Sequence, residues 1–177
     1  KQLRKEGYQT PIIGDFHYNG HILLTKYPEM ASLLGKYRIN PGNVGKGEKR
    51  DHNFASMINV AIKNNKPVRI GINWGSLDQD LFTKMMDENA LLENPKETRE
   101  VIIDAMIESA IANTNYAIKL GLPKNKIVVS VKMSEIQDMV KAYETLAQKT
   151  DYVLHLGLTE AGTGVKGIAS SAAALGI

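Results

Sequence analysis

Polar side chains recur at alternate positions in several short β-like stretches of this chain. Arg38 and Asn40 alternate with apolar neighbours just before a Pro-Gly-Asn turn, and the same design recurs at residues 69–76, 130–134 and 155–159. A strand buried without a functional duty would carry aliphatic residues on both faces. Because successive side chains of a strand point to opposite faces, one face collects Arg38, Asn40, Arg69, Asn73, Lys132, Ser134, His155 and Thr159.

Three members of this set are cations, and we interpret Arg38, Arg69 and Lys132 as an anion clamp. A guanidinium group matches two phosphate oxygens at once, and a lysine adds a point charge. Three cations from three strands suit a diphosphate or two separated phosphates. The alternative is an internal ion network in which the cations pair with Asp15 and Glu160.

Asp15 and His17 lie two residues apart on one face, where they could bind substrate hydroxyls or relay protons. The alternative is that Asp15 merely orients His17 or neutralises Arg38. His155 lies between leucines, so it is either a substrate contact or a core histidine with satisfied hydrogen bonds. Glu160 follows a strand end, which is where a general acid or a phosphate contact belongs in a barrel.

Glycine-rich loops follow several of these stretches, and their backbone N–H groups could hold an oxyanion. Residues 41–45 and 162–164 have this character, as do Gly71 and the pair Gly75–Ser76. Each loop alone is a weak signal, because glycine after a strand is more often a simple turn residue. We nevertheless include Asn43 and Ser76 among the candidate substrate contacts.

The elements that must position these residues alternate regularly between strand and helix. We predict strands over residues 11–17, 36–40, 68–73, 127–134 and 152–159. Between them lie helices over about 20–34 (broken at Pro28), 51–64, 78–90, 96–120, 134–149 (with Ser134 as N-cap) and 167–175. Such alternation indicates parallel strands joined by right-handed crossovers.

Two architectures fit this alternation: an open doubly wound sheet, or part of a (β/α)8 barrel with about five β/α units. In a doubly wound sheet both faces pack on helices, so arginine or lysine in mid-strand would be costly. In a barrel one face looks inward, and polar residues near the strand ends line the mouth. We therefore predict a partial TIM-type barrel over residues 1–177.

The composition is ordinary, with 177 residues, 43% hydrophobic and 23% charged residues, and a net charge of +3. No dense Lys/Arg run suggests nucleic acid, and no apolar run is long enough to span a membrane. There is no cysteine, which excludes disulfides, and the chain shows no obvious metal triad, so no metal site is expected here. Residues 1–7 resemble the end of a helix with a C-cap glycine, so we expect a piece of a longer protein.

Several motifs resemble the barrel domain of the 4-hydroxy-3-methylbut-2-enyl diphosphate synthase family, also called GcpE or IspG. They are Asp-Phe-His-Tyr at 15–18, Arg-Ile-Asn-Pro-Gly-Asn-Val-Gly at 38–45, and Arg-Ile-Gly-Ile-Asn-Trp-Gly-Ser-Leu at 69–77. Ser-Val-Lys-Met-Ser at 130–134 and His-Leu-Gly-Leu-Thr-Glu-Ala-Gly at 155–162 continue the series. Their order and spacing cover nearly the whole chain.

The resemblance implies an oxidoreductase of the methylerythritol phosphate route to isoprenoids. Its substrate would be 2-C-methyl-D-erythritol 2,4-cyclodiphosphate, opened reductively with loss of water to the hydroxymethylbutenyl diphosphate. Electrons would come from ferredoxin or flavodoxin through a [4Fe–4S] cluster, which three cysteines and a glutamate of a C-terminal domain hold. A cytoplasmic homodimer is implied, in which that domain of one subunit caps the barrel of the other.

The cluster domain and its ligands are absent from these 177 residues, as are the expected first two strands and the last strand of the barrel. The five strands would then be the third to the seventh, and the fragment alone would be inactive. The resemblance assigns Glu160 as proton donor or positioner, with Asp15 and His17 as second choices. It assigns substrate contacts to Arg38, Asn40, Asn43, Arg69, Asn73, Lys132, Ser134, His155 and Thr159.

Two other readings remain open at the level of sequence. One is a barrel enzyme of the pterin-binding synthase type, which has an anionic substrate and needs no iron. The other is a catalytically silent phosphate-binding module. Iron–sulfur binding by the parent protein separates the first from the reductive synthase, and ligand binding without an electron donor would favour the second.

Overall fold

The computed structural model describes residues 2–177. Five parallel strands form one sheet: β1 (Ile13–Phe16), β2 (Lys36–Ile39), β3 (Val68–Asn73), β4 (Ile127–Lys132) and β5 (Val153–Leu154). The helices are α1 (Gln2–Lys5), α2 (Gly20–Lys26), α3 (Pro28–Leu33), α4 (Gly47–Lys63), α5 (Gln79–Ala90), α6 (Thr98–Lys119), α7 (Ile136–Lys149) and α8 (Gly164–Gly176).

The order of the strands in the sheet follows their order in the chain, β1-β2-β3-β4-β5. A doubly wound sheet would reverse its order at a switch point. Without a reversal, right-handed crossovers place successive helices on the same side of the sheet. Accordingly α6 packs on β3 and β4, α7 packs on β4, and each of these two helices contacts the other. This is the arrangement of a partial TIM barrel, so the predicted fold class is confirmed.

The hydrophobic core lies between the strands and these helices. The strand residues that point toward the helices are aliphatic or aromatic, and Tyr37, Ile39, Val68, Ile70 and Val131 are fully buried. Removing such side chains from water supplies most of the stabilisation, at about 25 cal/mol per Å² of apolar surface. The helices contribute the other half of this core: Phe54, Met57, Ile58, Met106, Ile107, Ala110, Ala142 and Leu146.

Four of the five predicted strands are longer than the observed ones, β2 by one residue and β4 by two. β1 ends at Phe16, so His17 follows the strand. β5 covers Val153–Leu154 in place of residues 152–159, because it pairs with β4 alone and Gly157 has a φ of +153°, which interrupts the extended run. The prediction of Ser134 as the N-cap of α7 is also wrong, since the helix begins at Ile136 after Glu135.

Candidate functional site

The strand register brings the predicted cations together on the face of the sheet that is turned away from the helices, which we call the inner face. Asp15 pairs with Arg38 across β1 and β2, and Arg38 pairs with Arg69 across β2 and β3. Two inner-face positions further along β3, Asn73 pairs with Lys132 across β3 and β4. Paired residues of neighbouring strands point to the same side, so these five side chains share the inner face.

Arg38 is the centre of a contact network at this face, and it is only 5% exposed. Its Nη1 donates to Asp15 Oδ1 at 3.0 Å and lies 2.9 Å from His17 Nε2. With the Asn73 amide turned so that its oxygen faces the guanidinium group, that oxygen accepts from Nη2 at 3.3 Å. Nε is buried and has no hydrogen-bond partner within residues 2–177. The network fixes the guanidinium plane against the sheet.

His17 lies among three other groups of this network. Its Nε2 is 2.9 Å from Arg38 Nη1 and 3.3 Å from Asp15 Oδ1, and its Nδ1 is 3.3 Å from Asn43 Nδ2. A guanidinium group can only donate, so the contact with Arg38 is a hydrogen bond in the tautomer that leaves Nε2 without a proton.

Arg69 and Lys132 are half-buried beside this network. Nη1 of Arg69 donates to the buried Ser130 Oγ at 3.2 Å. Within residues 2–177, neither cation forms an ion pair. Burial lowers the pKa of each below its ordinary value, and Arg38 lowers both further, as Arg69 does for Lys132. Three cations thus share the inner face with the carboxylate of Asp15, and the local charge is strongly positive.

His155 directly follows β5 and lies within the electrostatic influence of Arg69 and Lys132. Partial burial of the imidazole lowers the pKa of His155 below its ordinary value, and Arg69 and Lys132 lower it further. Its backbone continues the ladder, because its N–H donates to Val129 O at 2.9 Å. Its carbonyl accepts from the Tyr143 hydroxyl at 2.7 Å, and burial raises the pKa of Tyr143 to about 12. The side chain is exposed, so the reading as a core histidine is wrong.

A second set of contacts joins the turns that follow β2 and β3. Asn40 Nδ2 donates to Ser76 Oγ at 2.7 Å, and Asn40 Oδ1 accepts from the Gly42 N–H at 3.0 Å. Ser76 Oγ in turn donates to Asn73 O at 3.2 Å. A Cβ added at Gly42 would lie 1.8 Å from Ser76 O, which shows how closely the two turns approach. The hydrogen bond between Asn40 and Ser76 therefore ties the turn after β2 to the turn after β3.

Ser134, Thr159 and Glu160 lie in the segments that follow β4 and β5. The Thr159 N–H donates to Met133 O at 3.1 Å, which joins these two segments. Glu160 is exposed and has a φ of +55°, a left-handed conformation that is uncommon for a residue other than glycine. Its Oε1 would be 3.9 Å from a Cβ added at Gly75, so the carboxylate reaches toward the turn after β3. No side-chain hydrogen bond holds these three residues in the described part of the chain.

The structure thus brings the predicted residues into four groups at one end of the sheet. Arg38, Asp15, His17, Asn43 and Asn73 form the central network. Arg69, Lys132 and His155 are coupled to it by charge, and Asn40 with Ser76 ties two turns together. Ser134, Thr159 and Glu160 stand at the rim without side-chain hydrogen bonds within residues 2–177.

The sequence did not reveal three features of the site: the contacts of Ser130, the contact of Tyr143, and the close approach of Arg38 to Gly71. Ser130 lies two residues before Lys132 in β4, so its side chain points to the inner face as well. The alternation of polar and apolar residues could therefore have identified it. Gly71 lies inside β3 and not in a loop. Tyr143 carries no such signal, because its contact with the His155 carbonyl exists only in the folded chain.

A family model of the GcpE TIM-barrel domain matches residues 1–177. The chain belongs to the GcpE family. The match covers the whole chain, and it agrees with the sequential parallel sheet and with the polar inner face. Membership in the GcpE family makes this an enzyme sequence of the IspG type, and its process is isoprenoid biosynthesis.

The residues of this GcpE chain do not fit the cluster that the family resemblance implies. The chain has no cysteine, and residues 2–177 hold no group of three or more His, Asp or Glu side chains placed to bind a metal ion. The cations at the inner face suit an anion and would repel a metal ion.

Within residues 2–177, no helix has the length and apolar character needed to cross a bilayer.

Proposed function

We propose that this chain binds the cyclodiphosphate substrate of a 4-hydroxy-3-methylbut-2-enyl diphosphate synthase. The observation that carries the proposal is the convergence of Arg38, Arg69 and Lys132 on one face beside the carboxylate of Asp15. Grouped cations repel one another, and this repulsion adds to the effect of burial in lowering the pKa values of Arg69 and Lys132. A dianionic or trianionic ligand removes that repulsion and gains hydrogen bonds to charged donors. Two phosphates close together, as in a cyclic diphosphate, match this spread of charge.

Each group of side chains has a separate task in this proposal. Arg69 and Lys132 have free donors and bind phosphate oxygens directly, while Arg38 is held by Asp15 and His17 and contributes chiefly its charge and Nη2. Asn43, Asn73, Ser134, His155 and Thr159 are placed to bind the remaining oxygens. Glu160, at the rim, is the group we assign to deliver a proton to an oxygen that leaves the substrate.

The reaction also requires two electrons. The family resemblance implies that ferredoxin or flavodoxin donates these electrons and that a [4Fe–4S] cluster passes them to the substrate. Since the residues present do not fit that group, the cluster must be held by residues other than these 177. The part of the reaction that we assign to this chain is therefore to bind and orient the diphosphate and to move a proton. The homodimer and the cytoplasmic location belong to the same proposal.

The test is an assay of the intact protein that contains this chain, purified without oxygen. About four irons per subunit and conversion of 2-C-methyl-D-erythritol 2,4-cyclodiphosphate to the hydroxymethylbutenyl diphosphate are expected when a reductant is supplied. An iron-free protein that binds the cyclodiphosphate but leaves it unchanged would replace the synthase with a phosphate-binding module. Failure to bind it at all would refute the anion site.

Inorganic pyrophosphate is expected to raise the pKa of His155. In the free chain Arg69 and Lys132 lower this pKa, and an anion seated among them would cancel the repulsion and stabilise the imidazolium form. Between the two pKa values binding takes up protons, so the contribution of this residue to affinity is complete below its pKa in the free chain and is lost as the pH rises through its pKa in the complex. An NMR titration of the imidazole signals with and without pyrophosphate measures the shift.

His52 is the internal control for that titration, because it is exposed on α4 and is not part of the inner face. Its signal should titrate identically in both samples. A pKa of His155 that stays the same at saturating pyrophosphate would mean that the anion binds elsewhere.

A further inference from the structure

Gly71 lies within β3 on the inner face, between Arg69 and Asn73. Its φ is outside the left-handed region, so the backbone there would accept any L-residue. Space is the constraint: a Cβ added at Gly71 would lie 3.0 Å from Arg38 Nε, 3.6 Å from Arg38 Nη2 and 3.2 Å from Ser130 Oγ. The guanidinium group of Arg38 therefore lies flat across β3 at the one position without a side chain.

Neither neighbour of Gly71 has room to move aside. Arg38 is buried and held by Asp15 and His17 on its other side. Ser130 is fully buried, and its Oγ accepts from Arg69 Nη1. A methyl group at position 71 would force the guanidinium group of Arg38 to shift by a few tenths of an ångström and would press on Ser130, the hydrogen-bond partner of Arg69. One carbon atom would thus reach two of the three cations.

Gly157 stands in the same relation to the third cation. A Cβ there would lie 3.1 Å from Lys132 Nζ and 3.4 Å from its Cε, so the end of this side chain lies across the segment that follows β5. Gly157 also has a φ of +153°, which adds backbone strain to any substitution. In both cases the absent side chain of the glycine makes room for a cation of the preceding strand: Arg38 beside Gly71, and Lys132 beside Gly157.

We propose that Gly71 and Gly157 are positioning residues of the anion site, which direct Arg38 and Lys132 by leaving the space in which they lie. The inference rests on the proposed function, since it assumes that these cations bind the substrate's phosphates. Hydrogen bonds weaken steeply as their geometry worsens, so a small shift of a charged donor lowers the affinity of the site for an anion.

Gly71→Ala is expected to raise the dissociation constant for inorganic pyrophosphate about tenfold, the loss that corresponds to one weakened hydrogen bond to a charged group. Isothermal titration calorimetry on the intact protein at fixed ionic strength measures it. The matched control is Gly35→Ala, whose Cβ would also meet a neighbour at 3.0 Å, but that neighbour is Pro11 Cβ, away from the cations. The control should keep the affinity of the parent protein.

A double-mutant cycle separates positioning from a general loss of structure. If Gly71 acts mainly through Arg38, Gly71→Ala should weaken pyrophosphate binding in the parent protein and cause a much smaller loss when Arg38→Ala is already present, the remainder being the part that acts through Ser130 and Arg69. An equal loss in both backgrounds would refute the positioning role. If Gly71→Ala does not fold, the same cycle with Gly157→Ala and Lys132→Ala decides the question, with Gly121→Ala (φ +103°) as the control for backbone strain.

The cycle also distinguishes this inference from the proposed function. If Arg38→Ala weakens pyrophosphate binding while Gly71→Ala leaves it unchanged, the glycine inference is wrong and the anion site stands. If neither Arg38→Ala nor Lys132→Ala changes pyrophosphate affinity, the anion site itself is wrong, and the glycine inference falls with it.

Discussion

Replacing Arg69 or Lys132 with alanine is expected to raise the Michaelis constant of the intact enzyme for the cyclodiphosphate about 10- to 100-fold. Both cations are half-buried, and within residues 2–177 neither has an ion pair, so their charge is available to a ligand. A hydrogen bond between charged groups is worth about 1.5–3 kcal/mol, and each 1.4 kcal/mol is a factor of about ten in affinity. Steady-state kinetics and direct titration of substrate should agree.

The matched control for this loss of charge is Lys149→Ala, at the exposed end of α7. It removes the same unit of charge without touching the inner face, and its Michaelis constant should stay close to that of the parent enzyme. Arg69→Lys is informative as well, because it keeps the charge and loses the planar fork of donors. Unchanged kinetics for both Arg69→Ala and Lys132→Ala would eliminate the clamp.

Glu160→Gln is expected to lower turnover by about 100-fold or more while changing the Michaelis constant only a few-fold. A positioned general acid contributes about 10²–10⁴ in rate, and glutamine keeps the shape of the side chain while it loses the transferable proton. The residue is exposed at the rim and points toward the turn after β3, where it can reach a ligand held by the cations. Product formation under single-turnover conditions separates the chemical step from binding.

Glu135→Gln provides the comparison, since Glu135 is an exposed carboxylate at the same end of the sheet, just before α7. It should leave turnover intact. A Glu160→Gln enzyme that turns over at the parent rate would remove Glu160 from the chemistry and leave proton delivery to another group. A large rise in the Michaelis constant alone would make it a binding residue.

The sequence predicted the sheet best where strands are central and their two faces differ most. In β3 and β4 the alternation of polar and apolar residues is clear, and both strands begin where the pattern begins. Edge strands were predicted less well because they pair on one side only, and local backbone geometry then decides their length. Gly157 ends the extended conformation near β5 in a way that composition does not reveal.

The membership of the inner face was predictable, but the difference between its cations was not. Alternation alone places Arg38 and Arg69 in equivalent positions. The structure buries Arg38 and pairs it with Asp15, while Arg69 keeps a free guanidinium edge. That distinction depends on which residues are opposite each other across three strands. The part played by Gly71 is hidden for the same reason, because its neighbour Arg38 belongs to another strand.

Mutations on the two faces of the strands are expected to affect different properties of the protein. Substitutions on the helix side, at Tyr37 or Ile70 for example, act on the free energy of folding, because those side chains are fully buried in the core. Substitutions at Arg69 or Lys132 remove charges that repel their neighbours, so the scaffold tolerates them even when ligand binding is lost. Substitutions at a few inner positions are therefore expected to change what the inner face binds while the free energy of folding, which the core determines, stays close to that of the parent protein.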